Sequence, residues 1–203
     1  MLSNYFKVAL RNLLKNKVYS IINIMGLAIG MAVTLLIGLW VYDELSFDRS
    51  FEHYDRIAQV MQHQTLEKQK DTWPAVSIPL AAELRNTYGA DFERVVLSSW
   101  NDDHVLSVGD KKLKSNGSFM QAEAPDLLSL HMISGSRKGL HDPSSILLSA
   151  SLAKSLFGKI DPINQVVKID NKLSVKVSGI YEDLPSNTSF HELTFILPWE
   201  LYV

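Results

Sequence analysis

The feature that most constrains this chain is a run without any charged side chain, residues 18–42. As an α-helix it would reach about 37 Å, enough to cross a hydrocarbon core of about 30 Å with some tilt. A soluble core helix normally keeps one polar face, and a signal peptide has a shorter apolar stretch before a small-residue cleavage site. Three small residues that resemble such a site, Ala28, Gly30 and Ala32, lie in mid-run. We therefore predict an uncleaved transmembrane helix over residues 18–42, in preference to a cleaved signal or a soluble helix.

The residues that flank this run predict its orientation. Four cations and no acid precede it, namely Lys7, Arg11, Lys15 and Lys17, whereas Asp43 and Glu44 follow it directly. Because Lys and Arg are retained in the cytoplasm, residues 1–17 should be cytoplasmic and residues 43–203 extracytoplasmic. Aromatic rings favour the headgroup level, which predicts interface anchors at Tyr19 on the inner side and at Trp40 and Tyr42 on the outer side.

The segment before the run has a pattern of its own. Phe6, Leu10, Leu13 and Leu14 recur at spacings of three and four, and the cations Lys7, Arg11 and Lys15 recur at four. This pattern is typical of an amphipathic helix that lies in the interface with its cations toward anionic lipid. A basic flank that only sets the orientation explains the same residues, and the sequence leaves both interpretations open.

Small residues recur within the run itself. Gly26, Gly30, Thr34 and Gly38 are spaced four apart and begin with a G-x-x-x-G motif. Such a row lets another helix backbone approach closely in lipid, which predicts transmembrane helix partners. The alternative is that glycine is simply common in membrane helices.

The part after the run differs from it in composition. All 22 acidic residues of the chain lie there, whereas four of its 20 basic residues do not, so this part is net acidic. An acidic surface argues against nucleic acid as a partner. The chain has no cysteine, which excludes disulfides, thiolate catalysis and zinc–thiolate sites.

Helical and strand patterns alternate irregularly in residues 43–203 and predict an α+β fold. The polar segment 43–56, here called the collar, should leave the membrane and anchor the first strand. Periodicity and turn residues predict strands at 56–65, 92–100 and 118–124, helices at 77–88, from Pro125 and at 149–158, and hairpins at 104–117 and about residues 170–172. Ser77 is the predicted cap of the first of these helices.

The sequence lacks the common motifs of nucleotide-binding and nucleophilic sites. The sequence has no G-x-x-x-x-G-K-[ST] phosphate loop and no G-x-S-x-G elbow. Asp102-Asp103-His104 and His191-Glu192 lack partners at metal-binding spacing and are interpreted as ordinary surface polarity. We therefore predict no catalytic residue, no cofactor and no metal site, and a protein that is not an enzyme.

Three stretches resemble MacB/FtsX-like ABC-transporter permeases. "ALRNLLKNKVYSIINIMGLAIGMA" is similar to the first span of these proteins, and "YDELSFDRSFEHYDRIAQV" resembles the collar that follows it, although Phe51, Glu52 and His53 depart slightly from the family spacing. "ILLSASLAKSLFGKIDPINQVVKIDNKLSVKVSGIYEDLPSNTSFH" is similar to a late part of the family's periplasmic core domain. The resemblance covers nearly the whole chain, in the family's order.

The resemblance implies an extracytoplasmic domain of two subdomains, one built from both the start and the end of the segment. It also implies a cytoplasmic ABC ATPase in a separate or fused chain, further transmembrane helices in a dimer and a periplasmic adaptor protein. Family members export macrolides, peptides or toxins, move lipoproteins or switch cell-wall hydrolases, and they transmit motion across the membrane.

The sequence departs from the family in having no second span before Val203. Because coupling needs a helix bundle with two arrangements, we expect the N-terminal portion of a permease, produced by truncation or excision. The leading hypothesis is that this portion couples a cytoplasmic ATPase to extracytoplasmic change. The alternative is a single-span anchored module that binds a ligand or protein outside the cell.

Overall fold

The computed structural model describes residues 2–66 and 69–203 of the chain. They form two compact units with the boundary between Phe47 and Asp48. The first unit contains two helices, and the second contains the strands and the remaining helices of the described residues.

The two helices of the first unit are α1 (Leu2–Lys15) and α2 (Lys17–Leu45). α2 contains the whole charge-free run, so residues 18–42 are helical as predicted, and the helix extends beyond them at both ends. Its 29 residues extend over about 43 Å, and none of its side chains is buried. Among the described residues it is the one helix long and apolar enough to cross a membrane.

The second unit mixes helices and strands, which confirms the α+β class. Its helices are α3 (Pro79–Tyr88), α4 (Ala124–Leu127) and α5 (Ala150–Phe157). Its strands are β1 (Gln62–Leu66), β2 (Gln69–Trp73), β3 (Asp102–Val108), β4 (Lys111–Met120), β5 (Met132–Gly135), β6 (Ser145–Ser149), β7 (Val166–Ile169), β8 (Leu173–Tyr181) and β9 (Phe195–Pro198). Short 3₁₀ segments occupy Tyr54–Arg56, Arg137–His141 and Trp199–Leu201.

The strands form two sheets. β1 and β2 make an antiparallel hairpin of their own, and the other seven follow the order β5-β8-β6-β9-β4-β3-β7. β7 also pairs with β8, so six strands close into a ring and β5 remains at its edge. The long strand β8 allows this because its first half pairs with β7 and its last residues pair with β5. The β1–β2 hairpin and the seven-stranded sheet are thus two distinct parts of one unit.

Alternate side chains of the larger sheet enter two different cores. Along β6, Ile146 and Leu148 belong to one apolar cluster and Leu147 to the other. All six strands of the ring contribute to the first cluster, together with α5, which places this cluster inside the ring. The second cluster joins the outer face of the sheet to Phe51, α4 and the 3₁₀ segment at residues 137–141.

Elements with strong local signals lie where the sequence predicts them. The helices predicted at 77–88 and 149–158 correspond to α3 and α5, and the two hairpins correspond to β3–β4 and β7–β8. The hairpin turns have positive φ at Gly109 (57°), Asp170 (52°) and Asn171 (57°), which Gly, Asp and Asn tolerate better than other residues. The Ser149 hydroxyl accepts the Leu152 N–H at 3.4 Å and caps α5.

The predicted strands differ from the observed ones in three places. β1 begins only at Gln62, so residues 56–61 form no strand. The strand predicted at 92–100 is wrong, because Ser98 makes only an isolated bridge to Met120. Residues 118–124 are not a separate strand, because β4 continues through Gly117 to Met120. Within residues 92–100, Val96 and Leu97 pack against the two cores without joining a ladder.

The predicted cap of α3 is also wrong. Ile78, and not Ser77, precedes the helix, and no side chain caps it. The Ser77 carbonyl instead accepts the Leu80 N–H at 3.0 Å, and Pro79 occupies the first helical position, where a missing N–H costs nothing.

Candidate functional site

The row of small residues predicted in the run lies on one side of α2 and leaves a groove there. A side chain added at Gly26, Gly30 or Gly38 would meet nothing within 4 Å. The groove has a volume of about 490 Å³ and is lined by Gly26, Leu27, Gly30, Met31, Thr34 and Leu35. Gly38 continues the row beyond it. Because the floor is helix backbone and the walls are flexible apolar side chains, the groove suits close approach of a second helix.

Thr34 adds a polar group to this row without leaving it unsatisfied. Its hydroxyl donates to the Gly30 carbonyl at 2.8 Å, one turn earlier in the same helix. An unpaired hydroxyl in hydrocarbon would cost several kcal/mol, on the order of 4 to 8 for transfer from water. The internal hydrogen bond removes this cost, so Thr34 behaves as a small residue of the groove.

The charges at the ends of α2 are opposite to those that stabilise a helix. Lys17 is its first residue, no acid lies in its first turn, and no base lies in its last turn, where Asp43 and Glu44 stand. A helix favours acids at its N-terminus and bases at its C-terminus by about 0.3 to 1 kcal/mol each. Helix stability therefore does not explain these charges.

The predicted anchors and topology-setting residues are all exposed. Tyr19, Trp40 and Tyr42 expose 76%, 65% and 73% of their surface. Tyr19 and Trp40 lie about 32 Å apart along the helix axis, close to the thickness of a hydrocarbon core. The cations Lys7, Arg11 and Lys15 lie on α1 and are exposed, as is Lys17 on α2. The side chain of Leu10, part of the predicted apolar face, lies outside the described side chains.

Asp48 joins the beginning of the second unit to a segment near the end of the chain. Its carboxylate accepts the Ser189 N–H and the Ser189 hydroxyl, both at 2.7 Å. Its own N–H donates to the Asn187 carbonyl at 2.9 Å. We call Asp48 together with residues 187–190 the junction. The collar is therefore attached to the connection between β8 and β9, a contact that the sequence does not predict.

Aromatic packing reinforces the junction. Phe51 is 5% exposed and its ring meets that of Phe190 edge to face at 5.8 Å. Both pack in the second core with the fully buried Tyr181, whose hydroxyl donates to the Leu193 carbonyl at 2.9 Å. Burial raises the pKa of Tyr181 well above its ordinary value, so the hydroxyl keeps its proton and remains a donor.

Two of the residues considered as metal ligands, Asp103 and His104, each pair with one charged side chain instead. Asp103 is bound to Lys114 at 2.5 Å, and His104 Nδ1 lies 2.6 Å from the Asp170 carboxylate. The other Asp170 oxygen accepts the Val105 N–H at 2.8 Å. Desolvation opposes the ionisation of Asp170, but the hydrogen bonds from His104 and Val105 outweigh it and hold its pKa below the ordinary value.

We call the contacts of Asp170 with His104 and Val105 the clasp. The clasp joins β3 to the turn between β7 and β8 and supports the closure of the ring, where β3 and β7 share only two residue pairs. His191 and Glu192 lie 3.8 Å apart from each other. Within residues 2–66 and 69–203, no group of three His, Asp or Glu side chains is placed to hold a metal ion.

Sequence reasoning missed the junction as a contact. Asp48 lies within the collar, to which the sequence assigns no partner near the end of the chain. Its partners lie 141 residues away, and no local pattern links them. Asp48 has a left-handed backbone, with φ of 60°, which Asp and Asn adopt more readily than most residues, but the structure and not the sequence shows this.

Comparisons with known proteins agree with this architecture. The profile of the family described as the MacB-like periplasmic core domain matches residues 20–203. A crystal structure of a domain assigned to a permease protein from Porphyromonas gingivalis is 22% identical, with a TM-score of 0.61 over 74% of this chain. At that identity the likeness concerns the fold. No curated protein matches the chain.

Two further structures match more weakly. The periplasmic region of MacB from Actinobacillus actinomycetemcomitans is 20% identical with a TM-score of 0.47, and the extracellular domain of the noncanonic ABC-type transporter YknZ from Gram-positive bacteria is 15% identical with a TM-score of 0.49. Each covers 62% of this chain. The chain spans 66%, 56% and 64% of the length of the three structures, respectively.

The family match and the apolar helix α2 together place the chain in a class, that of membrane-anchored proteins with an extracytoplasmic domain. Within that class, the chain belongs to the MacB-like periplasmic core domain family. This membership confirms the resemblance found in the sequence and identifies the second unit as the periplasmic-type domain of an ABC-type permease.

Proposed function

We propose that the chain couples a cytoplasmic ABC ATPase to conformational change outside the membrane, as part of a permease used for export or mechanotransmission. The junction is the observation that carries this proposal. α2 ends at Leu45, and by Asp48 the chain is already hydrogen-bonded to the connection that leads into β9. β9 lies in the middle of the larger sheet, between β6 and β4. A displacement at the end of α2 would therefore act directly on the centre of the domain.

The partners follow from the chemistry that the chain itself lacks. Residues 1–203 have no phosphate-binding loop, so the proposal places ATP hydrolysis outside them, in an ABC ATPase subunit of a separate chain. The groove on α2 fits another transmembrane helix, in a permease that is itself a dimer, and a periplasmic adaptor protein would receive the movement of the domain. The chain would need no catalytic residue of its own for this role.

The proposed location is the bacterial inner membrane, with α1 in the cytoplasm and residues 43–203 in the periplasm or outside the cell. The absence of cysteine from the sequence makes a direct test simple. A membrane-impermeant maleimide should label Ser174→Cys in intact spheroplasts and Asn4→Cys only after lysis, because both positions are exposed but lie on opposite sides. Labelling of Asn4→Cys in intact spheroplasts would contradict this orientation.

Purification of the tagged protein from its own membrane in mild detergent should recover an ATP-binding subunit. The double variant Gly26→Leu and Gly30→Leu fills the groove and should reduce this recovery roughly tenfold, the change expected for about 1.4 kcal/mol of lost packing.

The matched control is Ala28→Leu with Ala32→Leu, which adds the same side chains at the same spacing on the other side of α2. It should leave recovery unchanged. Absence of any ATP-binding subunit with the wild-type protein would refute the proposed function, whereas equal recovery with both double variants would refute only the role of the groove.

A further inference from the structure

α1 is a helix in its own right and not the beginning of α2. Asn16 separates them with φ of −108° and ψ of 56°, outside the helical region. The break frees carbonyl groups of the last turn of α1, and the Ser20 hydroxyl takes one of them by donating to the Leu13 carbonyl at 3.0 Å. The Asn16 side chain also donates to that of Asn12 at 3.1 Å. A break stabilised in this way lets α1 follow a direction of its own.

The side chains of α1 divide into two adjoining faces. Phe6, Leu13 and Leu14 fall within an arc of about 100° at 3.6 residues per turn, and they expose 74%, 45% and 62% of their surface. Lys7, Arg11 and Lys15 recur every four residues along the neighbouring side, and all three are exposed. The helix thus offers an apolar strip flanked by a row of cations.

The length and the charge of α1 indicate which kind of surface is complementary to its two faces. Fourteen helical residues reach about 21 Å, too short to cross a hydrocarbon core of about 30 Å. No acid occurs before Asp43, so nothing on α1 or in the charge-free run offsets the cations. A membrane surface with anionic headgroups above an apolar interior is complementary to both faces at once.

We propose that α1 is an in-plane anchor that binds anionic phospholipid headgroups through Lys7, Arg11 and Lys15 while Phe6, Leu13 and Leu14 enter the acyl boundary. The anchor lies on the side of the membrane where the Lys17 end of α2 emerges. This binding goes beyond the orientation that the same cations provide during insertion. It does not depend on the proposed coupling to an ATPase, so either proposal stands or fails without the other.

The test uses the full-length protein in nanodiscs, whose two leaflets have the same composition, so retention of cations on one side plays no part. Spin labels at Phe6→Cys and Val8→Cys report opposite faces of α1, since the two positions lie about 160° apart around the helix. In discs that contain phosphatidylglycerol, the label at position 6 should be accessible to oxygen and shielded from a nickel chelate. The label at position 8 should show the reverse.

Removing the charges of the three cations of α1 should weaken its binding to the membrane surface. Lys7→Gln, Arg11→Gln and Lys15→Gln together should weaken surface binding about a hundredfold, at roughly a factor of five per cation, and salt should have a similar effect in the unmodified chain. Discs of phosphatidylcholine alone should give the same loss. Tryptophan fluorescence, which includes the buried Trp199, verifies that the second unit stays folded.

Three outcomes would overturn the proposal. Equal burial of the position 6 label in anionic and zwitterionic discs would show that headgroup charge is not recognised. Burial that survives the three substitutions would show the same. A position 6 label that faces water in both kinds of disc would mean that α1 does not lie on lipid at all, and that its apolar strip is covered by protein in the cell.

Discussion

Gly135→Ala is expected to destabilise the second unit by about 3 kcal/mol or more, a large share of the about 5 to 15 kcal/mol that holds a domain folded. Gly135 ends β5 with φ of 76°, which disfavours any side chain. A Cβ there would also collide with the Ser178 carbonyl oxygen and lie 2.6 Å from the Gly179 Cα, both on the backbone of β8. Backbone in the centre of a sheet cannot move aside without loss of its ladder.

The measurement is urea unfolding of the full chain in detergent, followed by tryptophan fluorescence. Gly109→Ala is a matched control, because Gly109 also has positive φ, 57°, but a Cβ there meets nothing within 4 Å. It should cost only about 1 kcal/mol, the price of left-handed backbone alone. Equal losses for the two variants would mean that the close approach of β5 to β8 is not what requires glycine at position 135.

Local signals account for the parts of this fold that the sequence predicts well. The charge-free run, the glycine that ends α5 and the short turns of the two hairpins each act within a few residues of their effect. Alternation of Leu173, Val175 and Val177 with polar residues likewise predicts which face of β8 is buried, and the structure buries Val175 and Val177 completely or nearly so.

Errors occurred where a distant contact decides the local structure. Gly117 suggests the end of a strand, yet β4 continues through it and pairs there with β9. Glycine is required at this position because a side chain would collide with the ring of Phe195 on the neighbouring β9. Val96 and Leu97 suggest a strand, yet they serve as packing for the two cores. Val96 and Leu97 are thus used for tertiary packing instead of a ladder, whereas Gly117 stays in the ladder and leaves room for a neighbouring side chain.

The candidate site likewise contains one feature that local sequence predicts and two contacts that it does not. The groove on α2 follows from a spacing of four along one helix and is visible in the sequence. The junction and the His104–Asp170 clasp join residues 141 and 66 positions apart, and neither partner carries a motif that identifies the other. The pairing of β3 with β7 brings His104 close to Asp170, and the packing of Phe51 against Phe190 accompanies the junction.

Asp48→Ala is expected to loosen the junction by about 3 kcal/mol. The substitution removes two hydrogen bonds to a charged acceptor, each worth about 1.5 to 3 kcal/mol at most, and places alanine at a φ of 60°. Because the junction lies at one end of the unit, local opening should precede global unfolding. Hydrogen exchange of the Ser189 amide, which donates to Asp48, should therefore accelerate about a hundredfold.

Two control variants separate the causes of this change. Asp48→Asn keeps a residue that tolerates positive φ but replaces the charged acceptor by a neutral amide, so it should accelerate exchange only about tenfold. Asp55→Ala removes an exposed carboxylate from the same collar and should leave the Ser189 amide unchanged. Fast exchange in all three variants would indicate a general loss of stability.

The junction also separates assembly from coupling in the proposed function. Asp48→Ala leaves the groove on α2 intact, so recovery of the ATP-binding subunit should match the wild type. If the junction carries motion from α2 to β9, ATP should alter hydrogen exchange in residues 185–193 of the wild-type complex and not in the Asp48→Ala complex. An equal response to ATP in both complexes would show that motion reaches the domain by another route, because the hydrogen bonds of Asp48 would then be dispensable for it.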